Sequence, residues 1–478
     1  MLNKENIIFV LGVILLIVVL IIFQLFVFSK GFYSISADEA GHTLEGFWWF
    51  KGQNNIYSVW LPFQKILYGI SFHIHYNLFS VPRILSSIFG ILTLLSLIFL
   101  TKELFQNKIV SVLSGFLASI FYGVVIFSVI PLSEIYFFFF VIASLALLFH
   151  WIRTKREFSL WAGIIFSSVG TTTRYEAWIF SFLIFAVITI KIYSINKTLK
   201  NHIFRIIGMM ILLFSFPLYW IYLSFVVTIQ PTGFIEVVVE RYNPGGLLTE
   251  IRNNVLYQFI TINTSCLNIL GLITIIFYYK KDSSIKTYAF LFLSTLLVVG
   301  IVTFFSKAMP SHNSWRLATI WSILFIPFTA QWLYILLSDE RKYFKFNSIV
   351  FFIILTLFFY NQTLHYIKES YMNKEDIIIG EYLNNKLSYM NPSSKIFIER
   401  DKWRYSSLLI TSQIPDRFIT DKELFNNSIL TSSKDLLIEL KRYNIEYLIF
   451  RTNGQLIKYF KSLQKVKKFE NWTIYKFH

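Results

Sequence analysis

Apolar residues gather in long windows separated by short polar stretches, and those windows set the architecture. They predict helices at about 7–28, 83–101, 109–128, 133–150, 159–173, 176–193, 205–229, 255–278, 287–305, 316–337 and 348–366. A bilayer core takes roughly 20 apolar residues of helix, so the pattern predicts eleven spans. The pair at 159–173 and 176–193 is the most polar, interrupted by Ser167, Ser168 and Thr171 to Thr173. The first window, Ile7 to Phe28, is longer than the apolar core of a signal peptide, and no small-x-small cleavage site precedes Asp38. It is therefore expected to remain as the first transmembrane helix. The run Phe137 to Phe140 is expected to face lipid.

Two regions break the pattern. A stretch of about fifty residues, 30–82, follows the first window; within it, Leu44 to Phe50 and Ile56 to Phe79 are aromatic but interrupted by polar residues. Such segments suit the membrane interface better than its core, with Trp48, Trp49 and Trp60 as headgroup-level anchors. From about Lys368 the chain reads as a soluble domain. Asp376 to Met390 and Ser433 to Tyr443 have amphipathic helical spacing, Lys395 to Glu399, Glu446 to Phe450 and Trp472 to Phe477 read as strands, and Asn453-Gly454 reads as a turn. The fold class is thus mainly α: a polytopic helical bundle of about eleven helices, residues 1–367, followed by a small α/β domain, residues 368–478. That domain has no Gly-rich phosphate loop, Cys/His cluster or nucleophile motif, so no chemistry is assigned to it.

Composition agrees. The 478 residues are 55% hydrophobic, 19% aromatic and only 15% charged, which excludes an ordinary soluble protein. The net charge of +17 is not by itself a nucleic-acid signal until its location is known, and no nucleic-acid partner is expected. With the N-terminus inside, the inner segments hold sixteen basic residues against six acidic, while the outer segments hold nine against eight. The surplus follows the positive-inside rule. It reports topology, with the N-terminus cytoplasmic and the C-terminal domain extracytoplasmic. The single cysteine, Cys266, lies in an apolar window, which excludes an intramolecular disulfide and a Cys-based metal cluster.

The charged residues of the outer segments fall at helix ends, where separate loops can converge on one cavity. Asp38 and Glu39 follow the first helix, Arg83 opens the second, and Glu134 opens the fourth. Arg174 and Glu176 lie in Thr173-Arg174-Tyr175-Glu176-Ala177-Trp178, and His312 and Arg316 in Pro310-Ser311-His312-Asn313-Ser314-Trp315-Arg316. Acids that accept a proton beside cations that hold a phosphate fit transfer chemistry on a phosphate-bearing lipid. Plainer readings stand beside this one. The acidic pair can be a solvated helix boundary, Glu39 a partner for Arg83, and Glu134 a cap for its helix dipole. The arginines can be interfacial anchors and His312 a bystander. Spacing alone does not make His42, His73 and His75 a metal site.

This arrangement resembles the GT-C-type polytopic glycosyltransferases, which include the protein O-mannosyltransferases and the bacterial lipid A aminoarabinose transferases. The shared features are Asp38-Glu39 just past the first helix, Pro82-Arg83-Ile84-Leu85-Ser86-Ser87-Ile88-Phe89-Gly90 at the opening of the next, and the Arg174-Tyr175 element. The layout of helices and the C-terminal outer domain match as well. The resemblance implies a transferase moving a sugar from a polyprenyl-phosphate-linked donor to a lipid, protein or glycan acceptor, with inversion. Asp38 would be the catalytic carboxylate, with Glu39 and Glu134 as further acids. Arg174 and Arg316, with Arg83 and His312, would hold the donor phosphate. The resemblance leaves open a divalent metal cation, since relatives differ in using one. No dense cationic outer surface suited to lipid A is present.

Two enzyme or carrier classes and one binding class compete with this reading. A polysaccharide polymerase or ligase also uses lipid-linked sugars but relies on large later outer loops. A transporter or flippase predicts broken helices and polar residues at the midplane, whereas the charges here sit at helix ends. A membrane-anchored receptor would place its working part in the C-terminal domain.

Overall fold

Every apolar window carries helix in the computed structural model of the protein, and the termini follow the polar punctuation. The structure describes residues 4–53, 57–196, 200–228, 254–261, 265–280, 282–306, 314–338 and 342–368, then 370–372, 374–387, 391, 393–400, 404–421, 433–452, 454, 456 and 463–477. In chain order the membrane-type helices are α1 (Lys4–Ser29), α4 (Ser80–Phe105), α5 (Lys108–Ile120), α6 (Tyr122–Phe127), α7 (Ser133–Thr154), α8 (Glu157–Gly170), α9 (Glu176–Asn196) and α10 (Ile203–Thr228). They continue as α11 (Val255–Thr261), α12 (Ser265–Tyr279), α13 (Ser283–Ser306), α14 (Ser314–Ser338) and α15 (Lys342–Lys368). Among the described residues eight helices are long and apolar enough to cross a membrane, and three shorter apolar ones accompany them. This is an integral membrane protein with a polytopic helical bundle.

The contacts divide the chain into two compact units. One comprises Met1–Val27, Asn54–Ile66 and Ile84–His365; the other comprises Phe28–Gln53, Leu67–Arg83 and Tyr366–His478.

Within the first unit, α7 and α14 are the most buried of the eight long helices. The expected single helix at 109–128 is instead two, α5 and α6, because Phe121 adopts an extended backbone (φ −66°, ψ 119°) between them. Gly123 then lets α6 approach α14: a Cβ there would lie 2.2 Å from the Thr319 side chain. The run Phe137 to Phe140 does not face lipid. Phe137, Phe138 and Phe140 are buried and meet Phe180, Phe127 and Phe63 respectively, while Phe139 meets Phe89 and Phe166. Lipid tails and a helix interior are equally apolar, so composition does not tell one from the other.

The second unit holds the soluble α/β part and both helices of the first loop, α2 (Asp38–Phe50) and α3 (Phe63–Ile74), the latter from Leu67 onward. Its C-terminal part runs α16 (Lys374–Leu387), β1 (Lys395–Ile398), α17 (Tyr405–Thr411), β2 (Phe418–Thr420), α18 (Ser433–Arg442), β3 (Ile445–Arg451), β4 (Gln464–Lys468) and β5 (Trp472–Lys476). The sheet order is β2-β1-β3-β5-β4, with β2, β1 and β3 parallel and β5 and β4 antiparallel additions. Its core includes Ile379, Ile396, Ile398, Leu408, Ile449 and Trp472, with Leu44 of α2 packed against it. The strands β2 and β4 and the helix α17 add to the elements expected from sequence. Edge strand β4 is Gln-Lys-Val-Lys-Lys, an exposed lysine-bearing edge that shows no apolar alternation. Asn453 of the expected turn lies outside the described residues.

Candidate functional site

The first unit gathers a charged cluster from three separate helix ends. Glu134 sits in the first turn of α7, just after Pro131 and Leu132; Arg316 sits in the first turn of α14; Arg174 lies in the turn between α8 and α9. Glu134 is completely buried, and its Oε1 receives both guanidinium groups, Arg316 Nη2 at 2.6 Å and Arg174 Nη1 at 3.0 Å. Arg316 Nε adds a second contact at 2.7 Å. Arg174 also donates to Ser133 Oγ at 2.9 Å and grips Glu176 through two bonds of 2.9 and 3.1 Å. Burial works against the charge on Arg174, but the carboxylates of Glu176 and Glu134 outweigh it and hold its pKa above the ordinary value.

The geometry explains what each group can do. A buried carboxylate needs positive partners, because an unpaired one would neutralise itself instead. Here one carboxylate oxygen serves two arginines, while Glu134 Oε2 receives no hydrogen bond among the described residues. Two arginines and two glutamates balance in charge. Both arginine side chains keep some exposure, 16% for Arg174 and 11% for Arg316. Planar guanidinium edges suit bidentate recognition of phosphate.

Part of the first loop is tied to this cluster. Phe63 N–H donates to Thr172 O at 3.1 Å, Gln64 Nε2 to Pro131 O at 3.3 Å and Tyr175 Oη to Val59 O at 3.1 Å. Trp220 Nε1 donates to Tyr175 Oη at 3.3 Å, and Tyr57 stacks on Trp220 with ring centroids 5.4 Å apart. The sequence named Tyr175 only within the Arg174-Tyr175 element, with no role of its own, and did not point to the distant Tyr57 and Trp220. Only the adjacency of Tyr175 to Arg174 hinted at this web.

The second unit holds the acidic pair in a tightly organised turn. Glu39 is 1% exposed, and its carboxylate accepts the Ile35 N–H at 2.6 Å, the Ser36 N–H at 3.2 and 3.3 Å and the Ser36 hydroxyl at 2.9 Å. Ser36 Oγ in turn accepts the Asp38 N–H at 3.2 Å. Glu39 thus shapes the backbone that presents Asp38, which opens α2 in a half-buried position. Arg83 is also buried: it donates to Phe79 O at 2.7 Å and Tyr33 O at 2.8 Å, lies 3.9 Å over the Phe79 ring and is attracted by Glu39. It braces the segment entering the turn. Ser34 completes the frame, accepting the Met372 N–H on its hydroxyl at 2.8 Å and the Tyr371 N–H on its carbonyl at 2.9 Å.

His312 lies outside the described residues. His42 is buried, whereas His73 and His75 are exposed. Among the described residues no three His, Cys, Asp or Glu side chains form a group suited to a metal ion.

The fold has solved counterparts. ArnT from Cupriavidus metallidurans in the apo state superimposes with a TM-score of 0.65 at 9% identity, over 99% of this chain and 98% of that one. The fold is that of ArnT. The same protein bound to undecaprenyl phosphate gives a TM-score of 0.62 at 9% identity, covering 97% of each chain. The archaeal oligosaccharyltransferase AglB from Archaeoglobus fulgidus, in complex with an inhibitory peptide and a dolichol-phosphate, gives 0.49 at 14% identity over 91% of this chain and 69% of that one. No protein-family model and no curated protein matches the sequence.

Proposed function

We propose that this chain is an integral membrane glycosyltransferase of the GT-C type that moves a sugar from a polyprenyl-phosphate donor to a lipid, protein or glycan acceptor, at the outer membrane face and with inversion. The observation that carries the proposal is the pair of partly exposed arginines, Arg174 and Arg316, assembled on one buried carboxylate, Glu134. A fold shared along the whole chain with ArnT, which has been seen bound to undecaprenyl phosphate, supports it.

In this reading the donor phosphate takes the partly exposed guanidinium groups of Arg174 and Arg316. Asp38 accepts the proton of the acceptor nucleophile as that atom attacks the anomeric carbon. The bond between the anomeric carbon and the phosphate oxygen breaks, and its electron pair leaves with the polyprenyl phosphate. The arginines stabilise the charge that builds there, an electrostatic contribution greatest where water is excluded. Glu134 holds the arginines in place before the donor arrives. Glu39 and Arg83 fix the turn that presents Asp38. A divalent metal cation stays open as a further partner of the phosphate, as does His312.

Purified protein incubated with a panel of polyprenyl-phosphate sugars and acceptors tests the proposal by release of free polyprenyl phosphate together with labelled acceptor. Loss of a positioned base costs about 10²–10⁴-fold in rate, which is the drop expected for Asp38→Asn on an accepted donor. Equal rates for Asp38→Asn and wild type would remove Asp38 from the chemistry. Movement of the donor across the bilayer without release would make the protein a carrier.

A further inference from the structure

The opposite ends of α7 and α9, with the starts of α8 and α10, carry a second concentration of charge that the transfer chemistry does not use. Two of its cations are neutralised. Arg153 makes bonds of 2.7 and 2.9 Å to the buried Glu103, and Arg205 reaches Glu157 at 2.7 Å, joining α10 to α8. Three are not: Lys155, Arg156 and Lys191 have no carboxylate within ion-pair distance among the described residues. Lys191 Nζ donates to Ser283 Oγ at 3.3 Å, and the adjacent carboxylate, Asp282, instead accepts the Ser284 N–H to start α13.

The positive-inside rule accounts for basic residues on this face. It does not account for their gathering. Lys155 ends α7 in the left-handed region (φ +59°), a position where glycine is the easy residue and a lysine is uncommon. Its ammonium lies 5.7 Å from the ring of the buried Trp151, and the Arg205 guanidinium lies 5.8 Å from the same ring. Burial, and then the charge of Lys191, pushes the pKa of Lys155 below its ordinary value, as expected where like charges crowd without a counter-ion.

Exposed aromatic groups stand beside these cations. Phe158 follows Glu157 and Phe204 precedes Arg205, so the Glu157–Arg205 bridge brings their two helix starts together. They are 82% and 87% exposed, the two most exposed phenylalanines among the described residues. In water such a pair would be an apolar liability. At the starts of α8, a short apolar helix, and of α10, which is long enough to span a bilayer, it fits the boundary between headgroups and acyl chains.

We propose that Lys155, Arg156 and Lys191, floored by Trp151 and flanked by Phe158 and Phe204, form a binding site for the headgroup of an anionic phospholipid. The cations take the phosphate, and the phenylalanines take the glycerol and first methylenes. A basic pocket between membrane helices suits such headgroups, and each Lys or Arg there contributes about fivefold in affinity. The site is independent of the glycosyl-transfer reading and survives its failure.

The full-length protein in vesicles of phosphatidylcholine, alone or mixed with phosphatidylglycerol, tests this. Native mass spectrometry after gentle extraction should find phosphatidylglycerol retained by wild type, and retained about 25-fold less by Lys155→Gln/Lys191→Gln. The charge-matched Lys102→Gln/Lys280→Gln should retain it as wild type does. Phe158→Ser/Phe204→Ser should weaken retention with no change in charge. Lys155→Arg/Lys191→Arg should restore it, which separates lost binding from lost folding. Equal retention by the lysine-to-glutamine variant and wild type overturns the site, as does equal loss in the matched control. If inorganic phosphate in neutral vesicles raises the thermal midpoint as much as phosphatidylglycerol does, the occupant is a free anion and the lipid assignment falls.

Discussion

Glu134 and Arg316 stand 182 residues apart in the chain and meet at 2.6 Å inside the helical unit. They lie in the first turns of α7 and α14, the two most buried of its long helices. A charge placed there is expensive unless paired, so the pair ties the positions of these helices to each other. With Arg174 on the same carboxylate oxygen, three helix ends share one electrostatic centre. Glu134, singled out from sequence as a further acid, is the counter-ion shared by both arginines.

Removing two members of that centre together should therefore cost less than the sum of removing each alone. Glu134→Ala leaves two arginines facing each other and is expected to lose about 3–5 kcal/mol, the usual result of breaking a buried pair from one side. Glu134→Ala/Arg316→Ala should be less destabilised than the sum of the two single variants. Thermal unfolding of all four proteins in one detergent completes the cycle. Strict additivity would mean that the two groups do not depend on each other.

Tyr175 should matter through the arginine beside it. Its hydroxyl both donates to Val59 O and accepts from Trp220 Nε1, so Tyr175→Phe leaves one acceptor and one donor short of a partner. A loss of about 1–3 kcal/mol per stranded group is the upper range for buried positions. If the turn carrying Arg174 loosens, the KM for a polyprenyl-phosphate sugar should rise more than kcat falls. An unchanged KM alongside reduced stability would confine Tyr175 to packing.

The neighbours Asp38 and Glu39 should separate cleanly by experiment. Glu39→Ala removes the acceptor for the Ile35 and Ser36 N–H groups, so hydrogen exchange over 33–40 should accelerate markedly. Asp38→Asn leaves those bonds in place and should exchange as wild type does while transfer activity falls. If both substitutions speed exchange alike, Glu39 is not the organiser of the turn.

Much of this fold was legible because membrane helices announce themselves: twenty apolar residues in a row have few soluble alternatives. Charge also sorted well, and Glu134, Arg174 and Arg316, singled out from three distant helix ends, do converge. What apolarity hid was orientation, as with Phe137 and Phe138, since lipid and protein interior look alike to phenylalanine. It also hid the split at Phe121, which depends on a backbone turn with no proline or glycine at the break itself. The role of Glu39 was hidden for a different reason. A carboxylate that folds back onto amides three and four residues earlier has the same spelling as one that faces a substrate.

The support beneath that turn offers a last prediction. Helix α17 packs on α2, and α16 packs on α17 through Gly380. A Cβ at position 380 would lie 2.3 Å from Thr411 Cβ and 2.7 Å from the Thr411 carbonyl carbon, the second of which is backbone. Alanine would gain about 1 kcal/mol of helix propensity over glycine, yet overpacking costs about 1–3 kcal/mol when a neighbour cannot yield. Thr411 is poorly placed to yield, because its hydroxyl bonds both Asp376 O and Ser407 O. Gly380→Ala is therefore expected to lower the thermal midpoint. Thr411→Ala should not rescue it, since the Cβ and backbone carbon stay where they are, whereas Thr411→Gly should rescue it in part. Because α17 also holds α2, Gly380→Ala should speed hydrogen exchange in α2 and lower transfer activity with Asp38 itself untouched. A stabilised Gly380→Ala would show that α16 and α17 are not in such close contact, and the link from the soluble part to the acidic turn would then need another route.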